Sequence, residues 1–527
     1  MKIINFILLN FIINVSIKKE YKFIGDENME INNNMEQFDI HGGIGDIYKG
    51  GLYNLKEGPS SSTAKLKQGM FLDKDIPDAQ VIMTTTPSKK ILNNYGMGLI
   101  TYLCDEVGPP KKDGKSTFEL MDELAKLPLG NKLYIRVNWK DVQAKPGRLD
   151  LSDHWKIAFE LAEKYSKRIG FRIMLSNPNI PGYAAPDFVL EKVPFVKMGE
   201  RFGKMQYEPR YDDPYFLSAF KELNYLLADK YDGHPLVEFV DTFMYGFWGE
   251  GHTCGITEPL VKNPFPDFLI AQNTFNTMFS EQLNQWVKTP LVTNTQPDCS
   301  RVGNAEIVDR TIKTSNWLRT DTIFIECEQI EVLSNRPPWT AVVSEMWIAD
   351  GVYNPQTIDE GITNTDNAIY HVMDIGANYW SLWNWHNIGY DNIIKYYKKY
   401  PEVINKISHS IGYRIRPSWI WYGNYIGNPS LIIAFVNDGI AGVPGNLIVS
   451  LIDINGKIIV EGSLDAGYPI PRKVRQVLFP LPKDIDWKKL KLKVQIEIKG
   501  VKYPVEWACH ENINKDGTLT LRQSINI

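Results

Sequence analysis

A (β/α)8 TIM barrel followed by an antiparallel β-sandwich is the α/β fold class that this 527-residue sequence predicts. Three observations predict it. From Tyr95 to about Asn387, short apolar, β-branched runs alternate with amphipathic segments of helical spacing, the rhythm of βα units around a parallel sheet. Eight such runs fall in that span, the number that closes a barrel. Beyond Arg414-Ile415-Arg416-Pro417 the helical pattern stops, and alternating runs divided by turn signals such as Asn455-Gly456 take over.

The first run is Gly98 to Leu103, followed by a helix over Thr117 to Leu127 with Leu120, Leu124 and Leu127 on one face. The second is Lys132 to Trp139, with a helix over Trp155 to Arg168. The third is Phe171 to Asn177, and a Pro-, Gly- and Tyr-rich connection, Pro178 to Pro214, leads to a helix over Tyr215 to Tyr231. The fourth run, Val237 to Phe247, enters Trp248-Gly249-Glu250-Gly251-His252, where the two glycines suit a sharp turn. A helix over Leu269 to Val287 precedes the fifth run, Leu291 to Asn294. One over Ile307 to Leu318 precedes the sixth, Thr322 to Glu328. The seventh run is Ala341 to Trp347, and a helix over Asp366 to Ile375 leads to the eighth, Ala377 to Trp385. Sandwich strands are expected over Leu431 to Val436, Asn446 to Ile452, Lys457 to Val460, Val474 to Leu478 and Leu490 to Ile498.

The barrel is therefore expected at residues 89–412 and the sandwich at 413–527, with a structural role favoured for the latter. Residues 18–88, rich in Gly and Asn, read as an extension of loops with a few short strands. Residues 1–17, an apolar stretch with an early lysine, resemble a secretory leader and imply a secreted or periplasmic protein. No other stretch approaches the length of a membrane span.

A formal net charge of -4 leaves no electrostatic footprint for nucleic acid, so no nucleic-acid partner is expected. Five cysteines without a CxxC pair argue against a disulfide framework or a zinc site, and His252, Cys254 and Cys299 match no metal-ligand spacing. Aromatic residues are 12% of the chain, with 14 Trp and 26 Tyr, enough to supply flat apolar faces for sugar rings beyond those the core uses.

In a β/α barrel the site lies where the strands' C-terminal ends meet, which selects the polar residues closing each run. These are Arg136, Asn138 and Trp139 on the second, Asn177 on the third, and Trp248, Glu250 and His252 on the fourth. The fifth offers Asn294 and Gln296, the sixth Glu326 and Glu328, the seventh Glu345 and Trp347, and the eighth Trp383 and Trp385. Cleavage of a glycosidic bond needs two carboxyls across the anomeric carbon, one protonated to help the leaving group depart and one ionised. Glu250, with Trp248 beside it, is the expected acid/base, because apolar and aromatic neighbours favour the neutral carboxyl. Glu345 is the expected nucleophile, and Arg136 is placed to keep it ionised. Glu326 is the rival nucleophile.

These residues carry a resemblance. The chain from about Tyr95 to Asn387 resembles the clan of retaining glycoside hydrolases whose acid/base ends strand four and whose nucleophile ends strand seven. Trp139-Lys140-Asp141-Val142-Gln143 through Gly147 and Asp150 is similar to a W-x-x-x-E-x-x-x-G-x-x-D signature of its β-galactosidase-like members, with Gln143 in place of the acid. Tyr379-Trp380-Ser381-Leu382-Trp383 is similar to the Trp-bearing eighth strand that floors the donor subsite there. Gly246 to His252 also resembles a group of barrel-plus-sandwich proteins, which implies no particular activity. The clan places Asn before its acid/base to bind the sugar's 2-hydroxyl, and this chain has Gly249: either another donor such as Asn177 or His252 serves that hydroxyl, or the substrate lacks the contact, or the barrel is no longer a hydrolase.

Two readings follow. One is an exported retaining β-glycosidase that cleaves a neutral oligo- or polysaccharide by double displacement and needs no cofactor. The other is a barrel that binds carbohydrate without catalysis. In both, Arg136, Trp139, Asn177, Trp248, His252, Asn294, Glu326, Trp347 and Trp383 are the expected sugar contacts.

Overall fold

Two short strands, β1 (Lys67–Gly69) and β2 (Gln80–Thr84), precede the barrel. Its strands are β3 (Gly98–Tyr102), β4 (Lys132–Asn138) and β5 (Arg168–Met174), then, after a hairpin of β6 (Phe195–Arg201) and β7 (Lys204–Pro209), β8 (Val237–Asp241). β9 (Leu291–Asn294), β10 (Trp317–Thr320), β11 (Val342–Glu345) and β12 (Tyr379–Leu382) complete it, every neighbour parallel and β12 closing on β3. The computed structural model describes residues 58–72, 74–105, 107–127, 130–201, 204–244, 246–251, 268–295, 304–320, 333–345, 371–382, 398 and 401–522. The chain divides into a unit Met1–Phe38 and a unit Asp39–Ile527, and every described residue lies in the second. The expected leader and most of the expected extension thus lie outside the described residues.

Local signals set the helices between strands. Ser116 and Glu119 form a reciprocal capping box at the start of helix Thr117–Lys126, Ser152 caps Asp153–Lys164, and Asp213 with Pro214 opens Pro214–Tyr231. Strand residues then alternate between two environments. Leu133, Ile135 and Val137 of β4, Ile169, Phe171 and Ile173 of β5, and Val240 of β8 pack outward against Leu124, Leu161, Phe216 and Leu227 of the helices. Ile100, Tyr134, Phe239, Val292, Trp317, Val343 and Tyr379 face the other way and belong to a second cluster that fills the barrel and continues into the C-terminal sheets. Above this apolar layer the next inward positions are Tyr102, Arg136, Arg172, Asp241, Arg319 and Glu345.

The filling leaves little slack. A Cβ on Gly170 would come within 2.5 Å of the Phe239 ring, a rigid neighbour. Gly170→Ala is therefore expected to destabilise the protein by about 1–3 kcal/mol, read as a lower denaturant midpoint at unchanged slope. An alanine variant as stable as the parent would show that the ring can move aside. At the bottom of the barrel, the β5–β8 pairing slips by one residue between Ile169 and Gly170, a bulge that supplies Glu238 as the extra residue. Glu238 accepts from Gly96 N at 2.9 Å and Tyr379 OH at 2.6 Å and pairs with the buried Lys132 at 3.3 Å, tying the entrance of the barrel to its fourth strand.

The C-terminal strands are β13 (Ile415–Tyr425), β14 (Asn428–Asn437), β15 (Asn446–Ile452), β16 (Ile458–Ser463), β17 (Arg475–Pro480), β18 (Lys491–Ile498), β19 (Val501–Pro504) and β20 (Leu519–Thr520). They form two antiparallel sheets, β1-β17-β14-β13-β2 and β16-β15-β18-β19, with β20 on β18. Ile433, Phe435, Val477 and Phe479 of the first share one core with Leu447, Val449, Val494 and Ile496 of the second, which makes the pair a sandwich.

Four expectations need correction. The sixth barrel strand is described at Trp317–Thr320, ahead of the expected run Thr322 to Glu328, which lies outside the described residues: Arg319 interrupts the apolar pattern there, and the preceding helix stops at Lys313, with Ser315 at φ 59°. The fourth ends at Asp241 rather than Phe247. Residues 67–69 and 80–84, within an extension expected to hold a few short strands leading into the barrel, do form strands, but they pair with the sandwich. The connection Pro178 to Pro214 contains the β6–β7 hairpin.

Candidate active site

The geometry begins with the register of β4 and β5, which places Arg136 directly beside Arg172 on the inner face. Two buried guanidiniums side by side repel, and the barrel offsets this with carboxylates on neighbouring strands. Arg136 Nη2 donates to Glu345 Oε1 at 2.9 Å and Oε2 at 3.1 Å, and lies 3.4 Å from Glu250 Oε1. Arg172 Nη1 contacts the same Glu250 oxygen, while its Nε and Nη2 reach Asp241 Oδ2 at 3.0 and 2.9 Å. Arg319 Nη1 sits 3.2 Å from Asp241 Oδ2, and its Nη2 donates to Glu345 Oε2 at 2.7 Å. Following these contacts round gives a closed ring of alternating charge: Glu250, Arg172, Asp241, Arg319, Glu345, Arg136 and back to Glu250.

Two phenols complete it. Tyr102 OH donates to Glu345 Oε1 at 2.8 Å and accepts from Arg319 Nη2 at 2.7 Å, and Tyr134 OH donates to Asp241 from the layer below. Burial pushes the Tyr102 phenol above its ordinary value, so it stays a neutral donor. Burial works against the charge on Arg136, yet Glu345, Tyr102 and Glu250 outweigh it and hold that guanidinium above its ordinary range.

Glu250 reaches the ring from a turn beyond β8. Trp248, Gly249 and Gly251 all adopt positive φ, 57°, 73° and 84°, bending the chain back over the barrel. A Cβ on Gly249 would lie 3.1 Å from the Ile173 carbonyl oxygen, so the turn presses against β5 at the position where the resembled clan carries Asn. Trp248 N donates to Ser176 O at 2.9 Å, and Asn294 Nδ2 to Glu250 O at 3.3 Å, fixing the turn from both sides.

Glu250 and Glu345 thus share one nitrogen of Arg136. Two atoms lying 2.9 and 3.4 Å from the same nitrogen are separated by no more than those lengths laid end to end, about 6.3 Å. Among the described residues, no group of His, Cys, Asp and Glu is arranged to hold a metal ion, and no helix is long and apolar enough to cross a membrane.

No protein-family model and no curated protein matches the sequence. Solved structures do match, at low identity. The catalytic domain of a β-amylase from Paenibacillus polymyxa aligns at 9% identity over 58% of this chain and 98% of its own, with a TM-score of 0.38. Endo-glycoceramidase II from a Rhodococcus species aligns at 11% identity over 73% of this chain and 97% of its own, TM-score 0.35. A GH5-4 broad-specificity endoglucanase from an uncultured bacterium aligns at 12% identity over 59% and 93%, TM-score 0.35.

Of the residues expected at the site, Glu250 and Glu345 both contact Arg136, and Asn294 braces Glu250. Asn177 is buried and donates to Asn138 Oδ1 at 3.3 Å, and Trp248 is half-buried beside Phe247. Trp139 is not at the mouth. As a neighbour in sequence to the inward Asn138 it points outward, fully buried among Phe188 and Phe216, with Nε1 donating to Gln143. Its role is packing, and Gln143 in turn donates to Glu222 at 2.7 Å. His252, Gln296, Glu326, Glu328, Trp347, Trp383 and Trp385 lie outside the described residues, as do Cys254, Cys299 and Cys327.

Sequence reasoning missed Arg172, Asp241, Arg319, Tyr102 and Glu208. The first three carry a usable signal, a lone charge inside an apolar strand (Phe171-Arg172-Ile173, Val240-Asp241, Leu318-Arg319), which a fold retains only with a partner inside. Glu208, on β7, is buried beside Ser176, whose carbonyl anchors the turn that carries Glu250: it accepts from Ser176 Oγ at 2.7 Å and Tyr211 OH at 3.1 Å. Burial pushes its carboxyl up to about 7 from 4.5, against both hydroxyl bonds. Because the folded value lies above the unfolded one, the folded chain binds the extra proton between those limits. Stability is therefore full below about pH 4.5 and falls as pH rises to about 7, by about 3 kcal/mol. Denaturation of wild type and Glu208→Gln across this window should show the gap between them moving by that amount in favour of the glutamine. A constant gap would mean that Glu208 is ionised throughout.

Proposed function

We propose that the chain is a retaining glycoside hydrolase cleaving β-glycosidic bonds by double displacement, exported, with Glu345 as nucleophile, Glu250 as acid/base and β-galactosides as the first substrates to try. One observation carries the reading. Two carboxyls from the ends of different barrel strands meet at a single guanidinium nitrogen, which holds one oxygen of each within about 6.3 Å of the other. Retaining enzymes hold their carboxyls about 5 to 5.5 Å apart, while inverting ones need about 6.5 to 9.5 Å to admit a water between them. The present bound favours retention.

The ring explains how such a site would work. Arg136, Arg319 and Tyr102 hold both oxygens of Glu345 in a fixed orientation, which suits attack on an anomeric carbon. Glu250 is not held in the apolar environment expected for an acid. Its contacts with Arg172 and Arg136 favour the charged form, the form a general base needs when water resolves the intermediate. Proton donation in the first step then requires substrate to draw Glu250 off Arg172 and the released carboxylate to take up a proton from solvent, which it passes to the leaving oxygen. The same ion pairs favour the second reading, a carbohydrate-binding barrel in which these carboxylates only accept hydrogen bonds from sugar hydroxyls.

The deciding experiment is hydrolysis of a panel of aryl β-glycosides, with the first-formed anomer read by proton NMR. A β-configured product is expected. An α-configured first product would sink the retaining mechanism, and saturable oligosaccharide binding without turnover of any substrate would select the binding barrel.

A further inference from the structure

The opposite end of the barrel holds a second polar cavity. About 250 Å³ in volume, it lies where Ser315 and Trp339, just ahead of β10 and β11, meet the sandwich at Asn446, Glu497 and Lys499, with Ser60 exposed at its rim. Glu345 ends β11, so this cavity and the charged ring sit at opposite ends of that strand.

Its polar groups are built in. Asn446, the first residue of β15, is 2% exposed and its Nδ2 has no hydrogen-bond partner. A buried donor left unmade costs about 1–3 kcal/mol, a cost removed if the amide turns toward an occupant that accepts from it. Opposite in register stands Glu497, whose carboxylate accepts from Ser62 N at 3.2 Å and from Ser61 Oγ. Burial pushes this carboxyl up, but those bonds outweigh it and hold it below its ordinary value, so a buried acceptor persists in ionised form. Lys499 turns at φ 47° in the β18–β19 hairpin and sends Nζ to Trp286 O at 2.7 Å and Asn316 Oδ1 at 2.9 Å. Two of its three donors are thereby used. The walls thus combine donors, an anionic acceptor and the indole of Trp339.

We infer that this cavity is a binding site for one neutral monosaccharide unit. Sugar hydroxyls both accept and donate, which matches Asn446 and Lys499 on one hand and Glu497 on the other, and the C–H face of a pyranose suits an indole. The Glu497 carboxylate in the wall disfavours an anionic occupant. The volume falls below the roughly 300–1,000 Å³ of drug-sized pockets, so one ring fits and a chain does not. The inference does not depend on the carboxylate pair at the mouth, and either site can exist without the other.

The test is calorimetric titration of the full chain with D-glucose, D-galactose, D-mannose and D-xylose, with glycerol and acetate as controls. The expected result is saturable binding of at least one sugar, weakened by about tenfold in Asn446→Leu, through loss of the amide donor, and in Ser60→Trp, which plugs the exposed rim without touching the buried groups. Glu345→Gln should leave this binding intact. The inference is overturned if no sugar binds, if glycerol or acetate binds as well as the sugars, or if binding survives both cavity variants. Loss in Glu345→Gln alone would assign the sugar to the mouth and equally overturn it. Should Asn446→Leu fail to fold, Ser60→Trp decides alone.

Discussion

Glu345→Gly is expected to lower kcat on an aryl β-glycoside by roughly 10⁴- to 10⁶-fold, the scale on which removal of a covalent nucleophile acts. Added azide should restore turnover, because a small anion can enter the space the side chain vacates and attack the anomeric carbon from that face. The product would be a glycosyl azide of inverted configuration. Removing Glu345 also takes the shared anion from Arg136 and Arg319, so the variant must first be shown folded by its thermal unfolding. A folded Glu345→Gly protein that azide does not rescue, from an active parent, would refute the assignment. Rescue in Glu326→Gly instead would move the nucleophile to that residue.

Asp241→Asn should be the most destabilising conservative change in the barrel, by about 3–5 kcal/mol. One oxygen of Asp241 serves Arg172, Arg319 and Tyr134 together, and all four groups are almost wholly screened from water. The amide keeps the shape but leaves two guanidiniums facing each other without their common anion. Denaturant midpoints for Asp241→Asn, Arg172→Met and the double variant would measure the coupling, and the double variant should recover part of the loss. A single-variant loss below about 1 kcal/mol would mean that Asp241 behaves like a solvated surface partner.

How far the sequence discloses this arrangement depends on where charge falls in the strands. β3, β4, β9 and β11 are legible because each carries adjacent apolar residues, one on either face: Leu99-Ile100, Leu133-Tyr134, Leu291-Val292 and Val342-Val343. β10 is not, since Arg319 sits in the middle of four residues and breaks the run that pattern reading relies on. Asp241 escaped for the opposite reason: the apolar stretch continues past it to Phe247, so the strand was read too long and its true last residue looked internal. Arg136, Glu250 and Glu345 emerged because barrel strands end at the site. Trp139 was misassigned by the same rule, which says nothing about which face of the ladder a terminal residue occupies. Glu208 had no signal at all, since its hairpin reads as connection.

The sandwich is completed from both ends of the chain. β2 covers the free edge of β13 and β1 that of β17, although some 320 residues of barrel intervene between β2 and β13 in sequence. A protein begun at residue 89 would expose both edges as unpaired templates for other chains, and should aggregate rather than yield a soluble barrel. Barrel and sandwich are accordingly one inheritable and one foldable object: a gene fusion, truncation or domain exchange that moves the C-terminal strands must carry residues 67–84 along with them.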